Sequence, residues 1–592
     1  MTTRTHLYTK ALRKAETGII QKNWKGRLRV ALIYPNTYQV GMANLGFQTV
    51  YRLINQMDDV VCERIFLPAD FRHNNNSKAT SVESGHALPA FDILAFSVSF
   101  ETDYINIVRI LRMAGIAPES EDRHANDPFV MAGGVACMLN PEPIANFIDC
   151  FLIGEAEAVI FNFFKYYKIA FAADLPNDQD RERADSDKKF QSLETIAKNV
   201  TSAYIPRLYS PEYNQEGRIS AYKPLCSGLP ETIAKLHVPD LSKSPVASTT
   251  IFTQNTSFAN TYLIETGRGC PHGCRFCSAG YIYRPPRFHD IDSLDKCIRN
   301  AEKISDNIGL VGAAVSDLPG ISDLCSRFSN HDLRFSFSSL RADALTPALI
   351  NALAQSRVKT ATIAPDAGSE RMRRIINKGI SEDDIMKATY ALVTAGIFNL
   401  KLYFMIGLPT ETDEDILAII KLCKKIKEVF LSSSRKKKRI GEITVSLNSF
   451  VPKPVTPFQW VGMDTVESLN KKIKTIKKGL APISNVRFHA DAPRKAKVQA
   501  LLSRGDRRVS DILLMAEQNR DNWPQTLKQS DLDIDSYIHR QRNPDEFFPW
   551  DIIDHKVKKS FLYDEYLRAG AEKTFVSCKM NDCNICGVCP KI

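Results

Sequence analysis

Residues 264–284 read IETGRGCPHGCRFCSAGYIYR. A short apolar, β-branched run gives way to glycine and arginine, and then to three cysteines, Cys270, Cys274 and Cys277. A structural zinc takes four protein ligands and a disulfide takes two, so three thiols leave one coordination position to something else. A [4Fe–4S] cluster is held by one thiolate per iron. Three protein thiolates therefore hold three corners and leave the fourth iron free for a small molecule. The spacing Cys-x3-Cys-x2-Cys lets one tight loop reach those corners, and Phe276, next to the last cysteine, can shield the cluster. The competing reading is a zinc site completed by His272 or by a distant residue.

The run before the loop reads as a β-strand, and the chain around it repeats that unit. From about residue 248 to 455, NTYLIET, NIGLVGAAV, RFSFSSL, VKTATIAP, NLKLYFMIG and EITVSLNSF are strand candidates, most of them separated by helical spacing. Six strand–helix units predict a (βα)6 partial TIM barrel, with the cysteine loop at the carboxyl-terminal mouth where such barrels carry their sites. Upstream, RVALIY, FDILAFSVS, PFVMAGG and DCFLIG alternate with helical stretches such as ETDYINIVRILRMAG, the pattern of an α/β Rossmann-like domain. The stretch 173–189, ADLPNDQDRERADSDKK, is almost devoid of apolar residues and is expected to be an exposed loop. Residues 200–247 are rich in Tyr, Pro and Gly and predict an antiparallel hairpin connector. The segment from 456 onward is expected to be mainly helical. The expected domains are 1–172 (Rossmann-like), 173–247 (loop and β connector), 248–480 (partial barrel) and 481–592 (helical, with a cysteine-rich tail).

The bulk composition fits this division. A chain of 592 residues suggests roughly three or four domains. Its 44% hydrophobic and 24% charged content is ordinary for a globular protein. The net charge of +11 permits an anionic partner such as RNA. The N-terminal segment lacks the apolar core of a secretory signal, and no apolar run approaches the ~20 residues of a membrane span. A cytoplasmic protein with no membrane association is the expectation. In a reducing compartment the fourteen cysteines are thiols, and clusters of them read as metal ligands. The second cluster, CKMNDCNICGVC, places Cys578, Cys583, Cys586 and Cys589 as Cys-x4-Cys-x2-Cys-x2-Cys. It suits an auxiliary iron–sulfur cluster or a structural zinc. The other seven cysteines read as small buried hydrophobes. The basic run SSSRKKKRIG at 432–441 is either a solvated loop or a phosphate contact to RNA.

Cys-x3-Cys-x2-Cys with an aromatic before the last cysteine resembles the signature of the radical S-adenosylmethionine (radical SAM) enzymes, in which the free iron binds the amino and carboxylate groups of SAM. The resemblance implies SAM contacts near later strand ends. In LVGAAVSDLPG these are Ser316 and Asp317, although the segment departs from the common Gly-Gly-Glu. In FSFSSLRAD they are Ser338, Ser339 and Arg341. IAPDAGSERMRRIINKG and KLYFMIGLPTET are similar to the fourth- and fifth-strand segments of the methylthiotransferase-like subgroup. That likeness implicates Glu370 and Arg371 and brings the fifth-strand backbone near the adenine.

NPEPIANFIDCFLIGEAEAV, SFVPKPVTPFQW, SRGDRR and the terminal CGVC extend the likeness to a cobalamin-binding-type radical SAM family over nearly the whole chain. Cobalamin-binding domains of that type carry Asp-x-His-x-x-Gly after the first strand. Here Asn36, Tyr38 and Gly41 stand in those places. Ser97 and Ser99, then Gly133 and Gly134, then Gly154 fill the later positions. The glycine frame is present and the histidine ligand is not, so either cobalamin binds without a protein ligand or the domain only covers the barrel and holds substrate. What the resemblance implies is reductive SAM cleavage at a [4Fe–4S] cluster, fed by an electron donor such as flavodoxin or ferredoxin. It leaves open methyl transfer through cobalamin, cobalamin-independent methylthiolation or RNA modification, and a non-catalytic iron–sulfur RNA-binding or redox-sensing module. It supplies no substrate and singles out no catalytic side chain.

Overall fold

The structure, a computed structural model, describes residues 4–71, 77–124, 126–171, 181–338, 340–435, 439–580 and 583–589. In the N-terminal part, strands β1 (Leu28–Tyr34), β2 (Val60–Phe66), β3 (Ile93–Ser97), β4 (Phe129–Gly133), β5 (Cys150–Leu152) and β6 (Ala203–Tyr204) form one sheet in the order β2-β1-β3-β4-β5-β6. Every pairing is parallel except the last, between β5 and β6. Most of the strands read as apolar runs because helices cover both faces; Val30, Ile33, Ile93, Val130 and Cys150 are fully buried, while β2, which the sequence reading missed, buries Glu63 and Arg64 in its middle. Helices α1 (Leu45–Asn55), α2 (Tyr104–Met113) and α3 (Ala156–Phe171) pack around the sheet. The strand order reverses at β1, and in such open sheets the crevice beyond the carboxyl ends of the strands takes ligands.

The stretch expected as a loop at 173–189 departs from that reading. Residues 172–180 lie outside the described residues, but helix α4 spans Arg181–Asn199. Leu193, Ile196 and Ala197, spaced for one helix face, are buried and give this polar run its anchor. The expected antiparallel connector is present as the hairpin β7 (Tyr209–Tyr213) and β8 (Ile219–Pro224).

All six expected barrel strands form. They are β9 (Thr261–Glu265), β10 (Asn307–Val311), β11 (Arg334–Phe337), β12 (Thr360–Asp366), β13 (Asn399–Ile406) and β14 (Ile443–Ser449). They pair in parallel in chain order, as one ladder of β9 to β11 and a second that starts at β12. The second ladder gains a strand the sequence reading missed. β15 (Val486–Ala490) pairs in parallel with β14, in a region expected to be helical. Its residues alternate between half-buried and exposed, so it carries too few apolar residues to read as a buried strand. The barrel helices include α5 (Ile291–Glu302), α6 (Glu382–Thr394), α7 (Asp413–Arg435) and α8 (Val466–Leu480). Lys436, Lys437 and Lys438 of the basic run lie outside the described residues.

The C-terminal helices α9 (Pro493–Arg504), α10 (Val509–Gln518) and α11 (Lys559–Gly570) join the two sheets. Asn140 Nδ2 donates to the carbonyls of Ser503 (3.1 Å) and Gly505 (2.8 Å), and Arg109 pairs with Asp521 at 2.7 Å. Arg275 in the cysteine loop reaches Glu565 on α11 at 3.0 Å. Among the described residues no helix is long and apolar enough to cross a membrane.

Candidate functional site

The loop carrying Cys270, Cys274 and Cys277 leaves the end of β9 and is tied at its neck. Gly267 and Arg268 pair antiparallel with Phe288 and Arg287. Within it, Cys277 N donates to the Cys274 carbonyl (3.1 Å) and Tyr281 Oη to the Gly273 carbonyl (3.1 Å). Asn377 Nδ2 donates to the same carbonyl, and Arg275 N donates to Ile376 O at 3.0 Å. The buried Arg275 guanidinium donates to Ile375 O (2.8 Å) and Lys573 O (2.7 Å). These outward anchors fix the backbone between the thiols, and Phe276 packs with Met372 and Ile376 in an apolar cluster beneath it.

Burial pushes the Cys270 thiol up to about 12 and the Cys274 thiol to about 11, and raises Cys277 as well. Deprotonating them needs a metal or nearby cations. Lys378 supplies a cation beside Cys274 and Cys277. Its Nζ lies 2.5 Å from Asp366 Oδ2. Burial opposes its charge, but Asp366 and then Cys274 outweigh burial and hold the ammonium above its ordinary range. Asp366 ends β12 with a left-handed φ of 61°, a strained conformation of the kind found at functional sites. The sequence reading missed Asp366 and Lys378. Their signal was position: one ends a barrel strand, the other follows the next helical turn.

Among the described residues no three His, Cys, Asp or Glu side chains converge on one point as ligands of a single ion. His272, the fourth ligand that the zinc reading offered, is hydrogen-bonded within the fold. Its Nε2 faces Asp317 Oδ1 at 2.7 Å and its Nδ1 faces Ser577 Oγ at 3.4 Å. Asp317 keeps Oδ2 buried with no partner among the described residues, an acceptor suited to the amino group of SAM. Ser316 Oγ accepts from Arg341 N (3.3 Å), and Arg341 is bound to Asp343 (2.9 Å) and donates to the Lys378 carbonyl (2.9 Å). Ser338 Oγ donates to Gly312 O at 2.8 Å, while Ser339 lies outside the described residues. Glu370 and Arg371 are spent elsewhere. Glu370 accepts from Glu382 N (3.2 Å), and Arg371 binds Asp415 and the Thr410 carbonyl. Of these contacts, that of Asp317 with His272 reaches the cysteine loop.

A cavity of about 500 Å³ separates the strand ends of the N-terminal sheet from the barrel mouth. Ser97, Ser99, Gly133, Gly134 and Gly154 line one side, and Glu265, Gly267, Arg268 and Gly269 with Val311 to Ala313 line the other. Gly134 (φ 107°) and Gly154 (φ 147°) both need glycine: a Cβ would lie 2.4 Å from Val98 O in the first and 2.3 Å from Leu236 O in the second. Tyr38 and Gly41, assigned to the same ligand by resemblance, do not line this space. Tyr38 is buried in the core, its hydroxyl bound to Glu16 and its ring edge-on to Phe66, and Gly41 lets Phe66 and Tyr34 pack closely. Asn36 donates to Asp103 at 2.8 Å.

One wall of the cavity is an ion cluster between the two sheets. Arg268 bonds Glu155 (2.8 Å), Glu157 (2.6 Å) and Glu265 (3.0 Å), and Arg287 bonds Glu155 at 2.6 Å. Burial works to raise the Glu155 carboxyl, but the bonds from Arg287 and the charge of Arg268 outweigh it and hold it down to about 2. Sequence reasoning missed the cluster, although Glu155 and Glu157 lie one and three residues after Gly154.

The tail cysteines also meet the barrel. Cys578 N donates to Pro271 O at 2.8 Å and Lys558 N to Cys586 O at 2.9 Å.

Residues 46–206 match a sequence family described as "Radical SAM proteins, N-terminal", and residues 264–423 match "Radical SAM superfamily". An uncharacterized protein of Methanocaldococcus jannaschii is 30% identical over 86% of this chain and 96% of its own length. The threonylcarbamoyladenosine tRNA methylthiotransferase MtaB of Treponema pallidum is 22% identical, over 45% of this chain and 58% of that protein. Among solved structures, the apo form of the cobalamin-dependent S-adenosylmethionine radical enzyme OxsB aligns with a TM-score of 0.41 and 14% identity, covering 92% of this chain and 80% of that one.

Proposed function

The chain belongs to the radical SAM superfamily, and from that membership we propose that Cys270, Cys274 and Cys277 hold the [4Fe–4S] cluster at which it cleaves SAM. The observation that carries this reading is the placement of three thiols, spaced Cys-x3-Cys-x2-Cys, on one anchored loop at the end of the first barrel strand, beside the half-buried Lys378. When bound, the cluster supplies one electron to the sulfonium of SAM, which yields methionine and a 5′-deoxyadenosyl radical. The chain's own residues do the rest. Lys378 offsets the negative charge of the thiolates, and Asp317 Oδ2 accepts from the SAM amino group. Phe276 and the apolar residues beneath the loop keep water from the site.

The test is anaerobic reconstitution followed by product analysis. With reductant and SAM, the wild-type protein yields 5′-deoxyadenosine, and Cys270→Ala, Cys274→Ala and Cys277→Ala each abolish it. Product at the wild-type level from any of the three variants sinks the assignment.

The cavity between the sheets supports a second cofactor, a corrinoid, for methyl transfer. Five of the residues that resemblance assigned to cobalamin, Ser97, Ser99, Gly133, Gly134 and Gly154, line it, and no histidine does among the described residues. A corrinoid held there would find no histidine among the described lining residues to ligate its cobalt. The cob(II)alamin EPR spectrum of the reconstituted protein is expected to lack nitrogen superhyperfine splitting. Splitting removes this model, and failure to bind hydroxocobalamin at all makes the cavity a substrate chamber. RNA as substrate and flavodoxin or ferredoxin as electron donor are carried as proposals; the name of the tRNA-modifying relative and the net charge of +11 support the first.

A further inference from the structure

The four tail cysteines have no part in the reading above, yet the fold brings them against the cysteine loop. Cys578 N donates to the carbonyl of Pro271, the residue that follows Cys270. On the neighbouring residues, Ser577 Oγ meets His272 Nδ1 at 3.4 Å. Arg284 makes a second bridge. Its buried side chain donates from Nε to the Gly280 carbonyl (2.6 Å), and its guanidinium stacks over Tyr281 and Phe561 beside the Cys586 thiol. Gly280 N in turn donates to the Cys277 carbonyl at 3.3 Å. Cys586 is buried in an apolar cluster with Tyr281, Ile282 and Trp460, and Cys589 turns back toward the Met580 carbonyl. Two short routes of covalent and hydrogen bonds thus join the two cysteine groups.

Spacing favours one kind of occupant. Zinc modules pair Cys-x2-Cys with a second pair a dozen or more residues away, whereas all four thiols here lie within a single short run. Its first three follow Cys-x4-Cys-x2-Cys and its last three Cys-x2-Cys-x2-Cys, both iron–sulfur spacings. With four ligands every iron of a cubane is held by protein, which leaves no position for a substrate and suits a carrier of electrons.

We infer that Cys578, Cys583, Cys586 and Cys589 hold a second iron–sulfur cluster, docked on the SAM-cluster loop as its electron inlet. The inference rests on the radical SAM reading. One electron leaves a reduced flavodoxin, enters the tail cluster and passes on to the barrel cluster. SAM accepts it as the sulfur–carbon bond breaks, methionine departs, and the tail cluster returns to its oxidised level with no proton transferred.

The test compares three full-length proteins reconstituted anaerobically: wild type, the C578A/C583A/C586A/C589A variant and the C270A/C274A/C277A variant. Wild type is expected to carry twice the iron and sulfide of either variant. The C270A/C274A/C277A protein should show, after dithionite reduction, an EPR signal that added SAM leaves unchanged. With reduced flavodoxin as donor, loss of the tail thiols should cut 5′-deoxyadenosine formation at least tenfold, and with dithionite less than twofold. Should the tail variant not fold, Cys589→Ser, which leaves the Cys578 docking bond intact, carries the same comparison of donors. One zinc per wild-type chain, with iron equal to that of the tail variant, overturns the cluster. Two clusters with equal losses under both donors overturn the relay. Two clusters with no deoxyadenosine from any donor refute the enzyme reading and leave the tail cluster standing.

Discussion

Replacing Glu155 with glutamine removes one charge from the ion cluster that joins the N-terminal sheet to the barrel. Its carboxylate takes Arg287 at 2.6 Å and Arg268 at 2.8 Å, and it also accepts from Val238 N at 3.0 Å. Glutamine keeps the shape but turns an amide NH2 toward two guanidinium groups. Holding this carboxyl from its ordinary 4.5 down to about 2 corresponds, at about 1.36 kcal/mol per pH unit, to roughly 3 kcal/mol of stability at neutral pH. Breaking one side of a buried ion pair costs a similar ~3–5 kcal/mol. The sign follows from the depressed value. The contribution is complete above the unfolded pKa and is lost as pH falls toward the folded one, so about half is gone by pH 3. Trp24 lies beside the N-terminal sheet, hydrogen-bonded to Glu63 on β2, and reports that domain in urea unfolding. With a urea dependence of about 1–3 kcal/mol per molar, the Glu155→Gln midpoint at pH 7 should fall by roughly 1 to 3 M. The gap between the two proteins should narrow from pH 5 to pH 3. An unchanged midpoint at pH 7, or a gap that widens on acidification, refutes the reasoning.

Three further outcomes are expected. Lys378→Met leaves Asp366 buried without its cation and should lower the reduction potential of the barrel cluster and slow 5′-deoxyadenosine formation at least tenfold; an EPR-monitored redox titration that matches wild type rejects the role given to Lys378. Gly134→Ala forces a Cβ to 2.4 Å from Val98 O at a φ of 107°, so the N-terminal domain should lose about 2–4 kcal/mol, read by the same urea titration, whereas Ser99→Ala on the same side of the cavity should lose under about 1 kcal/mol. Tyr38→Phe loses a hydrogen bond to Glu16, worth about 1.5–3 kcal/mol, but hydroxocobalamin binding by the folded protein should stay within twofold of wild type; a larger loss would place Tyr38 in the cofactor site after all.

Local spacing carried much of this protein's chemistry in plain view. The two cysteine groups, 270 to 277 and 578 to 589, are legible because a cluster loop is short and its ligands are close in sequence. Four strands of the N-terminal sheet are legible because parallel strands buried on both faces become apolar runs, whereas β2, with Glu63 and Arg64 in its middle, was not read; the barrel strands β12 and β13 show instead as alternating buried and partly exposed residues. The same reasoning failed where that signal thins, at β15 with its alternating exposed residues, and at the polar helix α4, held by three buried side chains. Tertiary structure alone decided which residues face the site. Resemblance put Tyr38 under a cofactor, and packing turned it into the core against Glu16 and Phe66. Lys378 and Asp366 meet at the thiols, and Glu155 meets Arg268 and Arg287 across the cavity. Ser577 and His272 touch although 305 positions separate them. Such contacts have no sequence period. They arise because buried charge must find a partner and buried backbone must find a hydrogen bond, and those partners come from whichever segment the fold brings alongside.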